Sequence, residues 1–418
     1  MSCLSITVDA DRIIEHLQAL AAISDCSEPP PAVTRVVFSP TDLRARDYLK
    51  TLYQEAGLDV RVDAIGNTFA RWEGSQPELP VVGTGSHTDA IPHSGMYDGT
   101  VGVLGGLEAI IVLKRSGFQP KRSIELVMFT SEEPTRFGVG CTGSRLMAGA
   151  MSTEQLCELV DEAGDDYDTV RQRAGFEGSL HDVTLREGHY GAWVELHIEQ
   201  GPELEAKSLD IGVVTAIAAP ATYAFDVIGV GGHAGAVLMP TRKDALCAAA
   251  KVVLAIEYQA RKSASPDLVA TVGQLIVHPG AVNSIPSQVR FTLDIRDTDM
   301  ANRDYVAAEA IAWAGRIAKQ REVTIQHRCL NADPPAISDP AIIDAIDQAC
   351  DATGASRQHM ISRAYHDSLF MARIAPSAMI FIPCRGGVSH RPDEYSSPEQ
   401  IAKGASVLAH TLATLSLR

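Results

Sequence analysis

Gly83-Thr84-Gly85-Ser86-His87-Thr88-Asp89, followed closely by Tyr97-Asp98-Gly99, is the stretch on which the reading of this chain turns. It reads as the end of a buried strand over 79–85 running into a loop with one imidazole and two carboxylates, before a helix that begins near Gly99. A neutral imidazole at the C-terminal end of a strand is a good ligand for a divalent ion. An Asp two residues on lies on the same side of the chain and can orient the ring. Asp98 has two oxygens with which to bridge a pair of ions. Taken alone, His87 and Asp98 read equally well as residues that satisfy loop backbone, so the rest of the chain decides.

Working outward, the segment 123–130 carries Ile124, Leu126, Val127, Met128 and Phe129, reads as a buried strand and ends in Ser131-Glu132-Glu133. Adjacent carboxylates in a semi-buried cleft repel one another and resist ionisation, a difficulty that cations remove; in open solvent they would be an acidic turn. Trp193 to Glu199 alternates, so Glu195, His197 and Glu199 share one strand face. His197 is then either a further ligand or a core, salt-bridged histidine. A late imidazole comes from Ser389-His390-Arg391-Pro392. Jointly, His87, Asp98, Glu132, Glu133, His197 and His390 suffice for two borderline-hard ions about 3.5 Å apart, with one carboxylate left over as a base.

At 418 residues the chain is long enough for two domains. A hydrophobic fraction of 45% with 21% charged residues belongs to a soluble globular protein. The net charge of −16 has the wrong sign for nucleic acid or an anionic membrane. Eight cysteines (Cys3, Cys26, Cys141, Cys157, Cys247, Cys329, Cys350, Cys384) are scattered without a CxxC pair, which argues against a zinc knuckle or a disulfide framework. With no signal-like start and no apolar run of bilayer length, the cytoplasm is the expected compartment.

In chain order, a helix is expected behind Asp9, a second behind Thr41 as cap, and a hairpin turning at Gly66-Asn67. Segments 213–230, 268–278, 288–297 and 322–327 read as strands and 241–260 and 301–319 as helices. Their order, strand-helix-strand-strand-helix-strand, is ferredoxin-like. The expected division is therefore 1–212 and 330–418 as one domain, with 213–329 inserted into it. Behind the insertion come the polar cluster Tyr365-His366-Asp367, a strand and a closing helix from Pro398.

These motifs, together with Glu195-Leu196-His197-Ile198-Glu199-Gln200-Gly201-Pro202, Gly231-Gly232-His233-Ala234-Gly235, Asn283-Ser284-Ile285-Pro286 and Asp294-Ile295-Arg296-Asp297, cover nearly the whole chain. Through them it resembles the dinuclear-metal amidohydrolases of the aminoacylase and carboxypeptidase type, in the branch that holds allantoate amidohydrolase and N-carbamoyl-L-amino-acid hydrolase. The carbamoyl-amino-acid hydrolases usually show another Glu and a Gly where this chain has Pro134 and Thr135, and a Gly where it has Tyr365. The resemblance implies an α/β fold, a mixed-sheet metallohydrolase domain with an inserted α+β lid and dimerisation domain. It implies hydrolysis of the ureido group of ureidoglycolate to glyoxylate, ammonia and carbon dioxide in purine catabolism, with allantoate or N-carbamoyl-L-amino acids as alternatives. A catalytically silent metal-binding scaffold is the reading from another class.

Carried over residue by residue, the resemblance implies that His87, Asp98 and His197 hold one ion and Asp98, Glu133 and His390 the other. It makes Asp89 the orienter of His87, Glu132 the general base and His233, from a partner subunit's lid in a homodimer, the donor to the oxyanion. Manganese is the metal it favours, and zinc, cobalt or nickel suit the same donors. Arg296 and Asn283 offer donors to a substrate carboxylate, and Gln200 is a further candidate. His366 and Arg363 read as pocket residues, while Asp367 reads either as their companion or as a helix cap.

Overall fold

The computed structural model describes residues 6–418, so Cys3 lies outside the described residues. Four strands, Val81–His87, Ile124–Phe129, Tyr190–Ile198 and Ser377–Ile382, are buried along almost their whole length. Strands covered on both faces read as continuous apolar runs and pair in parallel. Here Ser377–Ile382, Tyr190–Ile198, Val81–His87 and Ile124–Phe129 lie side by side in that order, all parallel. The expected hairpin, Asp59–Val62 with Thr68–Trp72, adds antiparallel to Ile124–Phe129, and Ile211–Ile217 adds antiparallel to Ser377–Ile382. The result is a mixed nine-stranded sheet whose parallel strands all end at one edge, where sheets of this kind bind ligands.

The helix Thr100–Arg115 packs on this sheet and against Pro398–Ser416. A Cβ at Gly102 would lie 2.3 Å from the carbonyl oxygen of Leu196, so contact this close requires glycine. The shared core takes in Leu104, Leu107, Ile110, Leu196, Leu408 and Leu412, each worth about 1.5–3 kcal/mol of apolar burial.

The chain resolves into two compact units, the first running to Ala216 and resuming at Ile337, the second spanning Ile217–Ala336. In the second, the antiparallel order is Val269–His278, Gln288–Asp297, Ala219–Ile228, Thr324–Ala332. The helices Ala245–Lys262 and Met300–Arg321 share its core through Val252, Ile256, Val306 and Ile317. That order and connectivity are those of the ferredoxin-like motif.

Several local expectations need correction. The strand read over 213–230 is two, Ile211–Ile217 and Ala219–Ile228, because its halves pair in different sheets. The expected boundaries at 212/213 and 329/330 therefore fall inside strands, and Thr324–Ala332 continues past 329 to pair with Ala219–Ile228. Thr41 does not cap the second helix. Ser39 does, accepting from the Asp42 N–H at 3.1 Å, with Pro40 at the first helical position, where no N–H is needed. Ala90–Ser94 and Arg357–Ser362 are strands that sequence patterning missed.

Candidate metal centre

His87 is the last residue of its strand, opposite Phe129 of the neighbouring strand, which leads through Thr130 into Ser131-Glu132-Glu133. His197 lies one residue from the end of Tyr190–Ile198, opposite Phe381. The parallel register thus gathers side chains from distant segments at one edge of the sheet. Asp98, just ahead of the helix Thr100–Arg115, stands at the centre of them. Its Oδ1 is 3.1 Å from His197 Nε2 and 3.5 Å from His87 Nε2. Its Oδ2 is 3.0 Å from His390 Nε2, which in turn is 3.3 Å from Glu133 Oε1. Two donor sets result, His87/Asp98/His197 and Asp98/Glu133/His390, each with its ligand atoms within 4.8 Å of one another.

The opposite edges of the first two rings are fixed. His87 Nδ1 lies 3.0 Å from the main-chain carbonyl of Asp89, and His197 Nδ1 lies 2.9 Å from that of Ile198. A carbonyl can only accept, so each Nδ1 is a donor; Nε2 can give a proton to Asp98 while the ring is protonated and offers its lone pair to an ion once that proton is lost. Asp89 thus holds His87 through its backbone. Its carboxylate, 3.8 Å from the ring, instead accepts the N–H groups of Glu132 and Glu133 at 3.3 and 3.0 Å and shapes the acidic turn. Ser131, Gln200 and His390 all hold positive φ, at 58°, 54° and 59°. Such conformations are costly for residues with a side chain and gather at functional sites.

Electrostatically the site carries an excess of buried acid. Burial, reinforced by Asp98, pushes the Glu133 carboxyl up to about 7. Burial raises Glu132 well above the carboxylate range, with Glu133, Asp367 and Asp98 adding to the shift. Asp98 goes the other way: the hydrogen bonds from His197, His390 and His87 outweigh its burial and hold it well below. The hydrogen bond to Asp98 lifts His390 to about 9. Nitrogen and oxygen donors with surplus negative charge suit two divalent ions of borderline hardness. Glu132, 3.7 Å from His87 Nε2, belongs to neither donor set and is the carboxylate left over.

Gln200 donates through Nε2 to Asp98 Oδ2 at 2.8 Å and to Ser389 Oγ at 3.2 Å, so it borders the bridging carboxylate. His366 is buried against His197, with ring centroids 4.5 Å apart. Glu195, His197 and His366 also lie close enough to form a donor set, but both Glu195 oxygens are taken, one by Ser86 Oγ and the other by Ser368. Asp367 occupies the N-cap position of the helix Ser368–Met371 but its side chain makes no cap bond; it accepts from Ser144 Oγ at 2.5 Å, and burial followed by Glu195 pushes it up to about 8. Tyr365 contacts Arg145 through its hydroxyl, and Arg363 is exposed.

In the second unit, His233 and Asn283 are neighbours. His233 pairs with Ser284, and Ala234 N–H donates to the Asn283 carbonyl at 2.9 Å. The Gly235 N–H donates to His233 Nδ1 at 3.1 Å, which leaves the ring proton of the neutral imidazole on Nε2, as a donor. Arg296 is paired with Asp294 at 2.8 Å. One residue of the site escaped sequence reasoning: buried Glu394 accepts from the Tyr97 and Asp98 N–H groups and from Ser389 and His390. Its position four residues past His390 was the only signal.

The chain belongs to peptidase family M20/M25/M40, whose model matches residues 83–414, and so to the dinuclear metal-dependent hydrolases. It is 52% identical over 420 residues to the ureidoglycolate hydrolase of Arabidopsis thaliana, covering 99% of this chain and 88% of that protein. It is 38% identical over 406 residues to the N-carbamoyl-L-amino acid amidohydrolase of Geobacillus stearothermophilus, covering 97% of this chain and 98% of that protein. The crystal structure of AtUAH in complex with glyoxylate superposes with a TM-score of 0.90 at 52% identity, with 99% of each chain covered.

Proposed function

We propose that this protein hydrolyses the ureido group of ureidoglycolate, giving glyoxylate, ammonia and carbon dioxide in purine-ring catabolism. The observation that carries the reading is the 52% identity to a ureidoglycolate hydrolase across 99% of the chain, against 38% for a carbamoyl-amino-acid hydrolase.

In this reading His87, Asp98 and His197 hold one ion and Asp98, Glu133 and His390 the other. When bound, such ions polarise the ureido carbonyl and acidify the attacking water. Glu132 accepts the water's proton as the new C–O bond forms. It delivers that proton to the departing nitrogen as the C–N bond breaks; the carbamate so formed loses carbon dioxide, and the freed α-hydroxy amine eliminates ammonia to leave glyoxylate. His233 of the partner subunit donates Nε2–H to the oxyanion that develops in between. The substrate carboxylate is assigned to Arg296 and Asn283, with Gln200, His366 and Arg363 as further contacts. Asp89 positions both the His87 ring and the Glu132-Glu133 turn.

Manganese is the metal we favour, with zinc, cobalt and nickel suited to the same donors. A homodimer is supported by Val269–His278, an edge strand of the second unit's sheet that exposes Val269, Leu275 and Ile276. A cytoplasmic location is supported by seven free thiols among the described residues. No helix of the described residues is long and apolar enough to cross a membrane. A silent scaffold is disfavoured because Glu132 is in place.

The test is ammonia release by manganese-loaded enzyme from ureidoglycolate, allantoate and an N-carbamoyl-L-amino acid. Preference for ureidoglycolate is expected, and a strong preference for allantoate overturns the assignment.

A further inference from the structure

Glu394 is 2% exposed, and its one carboxylate lies within hydrogen-bond distance of four donor groups on two loops far apart in the chain. Oε1 takes the N–H of Tyr97 at 2.9 Å and that of Asp98 at 3.0 Å. Oε2 takes the N–H of His390 at 3.3 Å and lies 2.8 Å from the hydroxyl of Ser389, whose one proton it shares with Asp98 Oδ2 at 3.0 Å. Room for it is made by Gly95, where a Cβ would lie 2.5 Å from both Cβ and Oε1 of Glu394.

The three candidate imidazoles are not held alike. The side chains of His87 and His197 are 3% and 1% exposed, and each ring is anchored at Nδ1 by a main-chain carbonyl. The His390 side chain is 46% exposed and its backbone holds a φ of 59°. A strained residue with an open side chain is directed mainly by what fixes its backbone, and Glu394 accepts that N–H. The same carboxylate fixes the N–H of Asp98, so it sets both ends of the 3.0 Å approach of Asp98 Oδ2 to His390 Nε2.

We propose that Glu394 is a positioning residue that clasps the Asp98 and His390 loops together and thereby builds the second of the two ion sites, Asp98/Glu133/His390, while the first, whose two imidazoles are anchored elsewhere, leans on it only through the shared Asp98. The proposal rests on the two-ion reading above. A carboxylate suits the position because three partners are N–H donors and the fourth, Ser389, has a hydroxyl proton within reach. An amide of the same shape keeps one accepting oxygen and turns an NH₂ group towards two donors.

The experiment is calorimetric titration of chelator-stripped protein with manganese chloride, with electron paramagnetic resonance of the loaded samples. Wild-type protein is expected to take two ions and give a spin-coupled pair; fewer than two ions would count against the two-ion reading itself. Glu394→Gln is expected to keep one ion at near wild-type affinity, to bind the other about 10- to 100-fold more weakly, and to show the signal of isolated manganese. Two ions bound at wild-type affinity by the variant, or equal weakening of both, overturns the proposal. Should Glu394→Gln lack a cooperative melt, Glu394→Asp keeps the charge but shortens the reach of the carboxylate to both loops. There a smaller, second-site-only loss is expected, and unchanged binding of both ions overturns it.

Discussion

Gly99 stands so close to the His87 ring that a Cβ on it would lie 2.5 Å from both Cδ2 and Nε2 of the imidazole. The glycine also holds φ at +67° as it leads into the helix Thr100–Arg115. In Gly99→Ala, left-handed strain of about 1–3 kcal/mol combines with displacement of the ring. We expect a lower melting temperature, loss of the ion held by His87 and His197, and a fall in kcat of about 100-fold or more. Metal stoichiometry and ammonia release check this, and an active two-ion variant would contradict it.

Glu132→Gln keeps the shape of the side chain and removes its basicity. Because Glu132 stands outside both donor sets, the variant should bind two ions as the wild type does. Its kcat should fall by about 10²- to 10⁴-fold, the usual worth of a positioned base. Undiminished turnover would remove Glu132 from the mechanism.

Asp367 provides a pH dependence whose sign can be worked out. Its carboxyl titrates at about 8 in the folded protein, against an ordinary value of 3.8. A raised acid leaves the fold unpenalised below the unfolded value and costs stability progressively as pH climbs towards the folded one. The metal-free protein should therefore melt at lower temperature at pH 8 than at pH 5. Asp367→Asn, whose carbonyl can still accept from Ser144, should flatten that slope and raise the melting temperature at pH 8. Parallel wild-type and variant curves between pH 4 and 8 would show that Asp367 does not carry the effect.

Much of the centre was readable because it sits where strands stop. Apolar runs mark Ile124–Phe129 and Ser377–Ile382, and a polar residue directly past a buried strand needs a reason. That logic reached His87, Glu132, Glu133 and His197, and His390 through its place behind the last strand. It could not reach Glu394, whose partners at Tyr97 and Asp98 are neighbours only in space. Nor could it tell that Asp89 holds His87 through a carbonyl, since side-chain identity says nothing of backbone direction. The break between Ile211–Ile217 and Ala219–Ile228 coincides with Ala218-Ala219-Pro220, poor β-formers that were passed over, and a change of pairing partner leaves no mark of its own in the sequence. Ala90–Ser94 was obscured by its central Pro92, which patterning counts against a strand.

The donor atoms gathered at the sheet edge come from segments that only the assembled fold brings within reach, so the denatured chain has no comparable grip on an ion. Occupancy and folding are then one linked equilibrium: each site filled at a hundredfold excess over its Kd adds about 2.7 kcal/mol, against a typical reserve of about 5–15 kcal/mol for a whole domain. A cell starved of the ion would forfeit both turnover and thermal endurance, and the protein's lifetime would track its mineral supply.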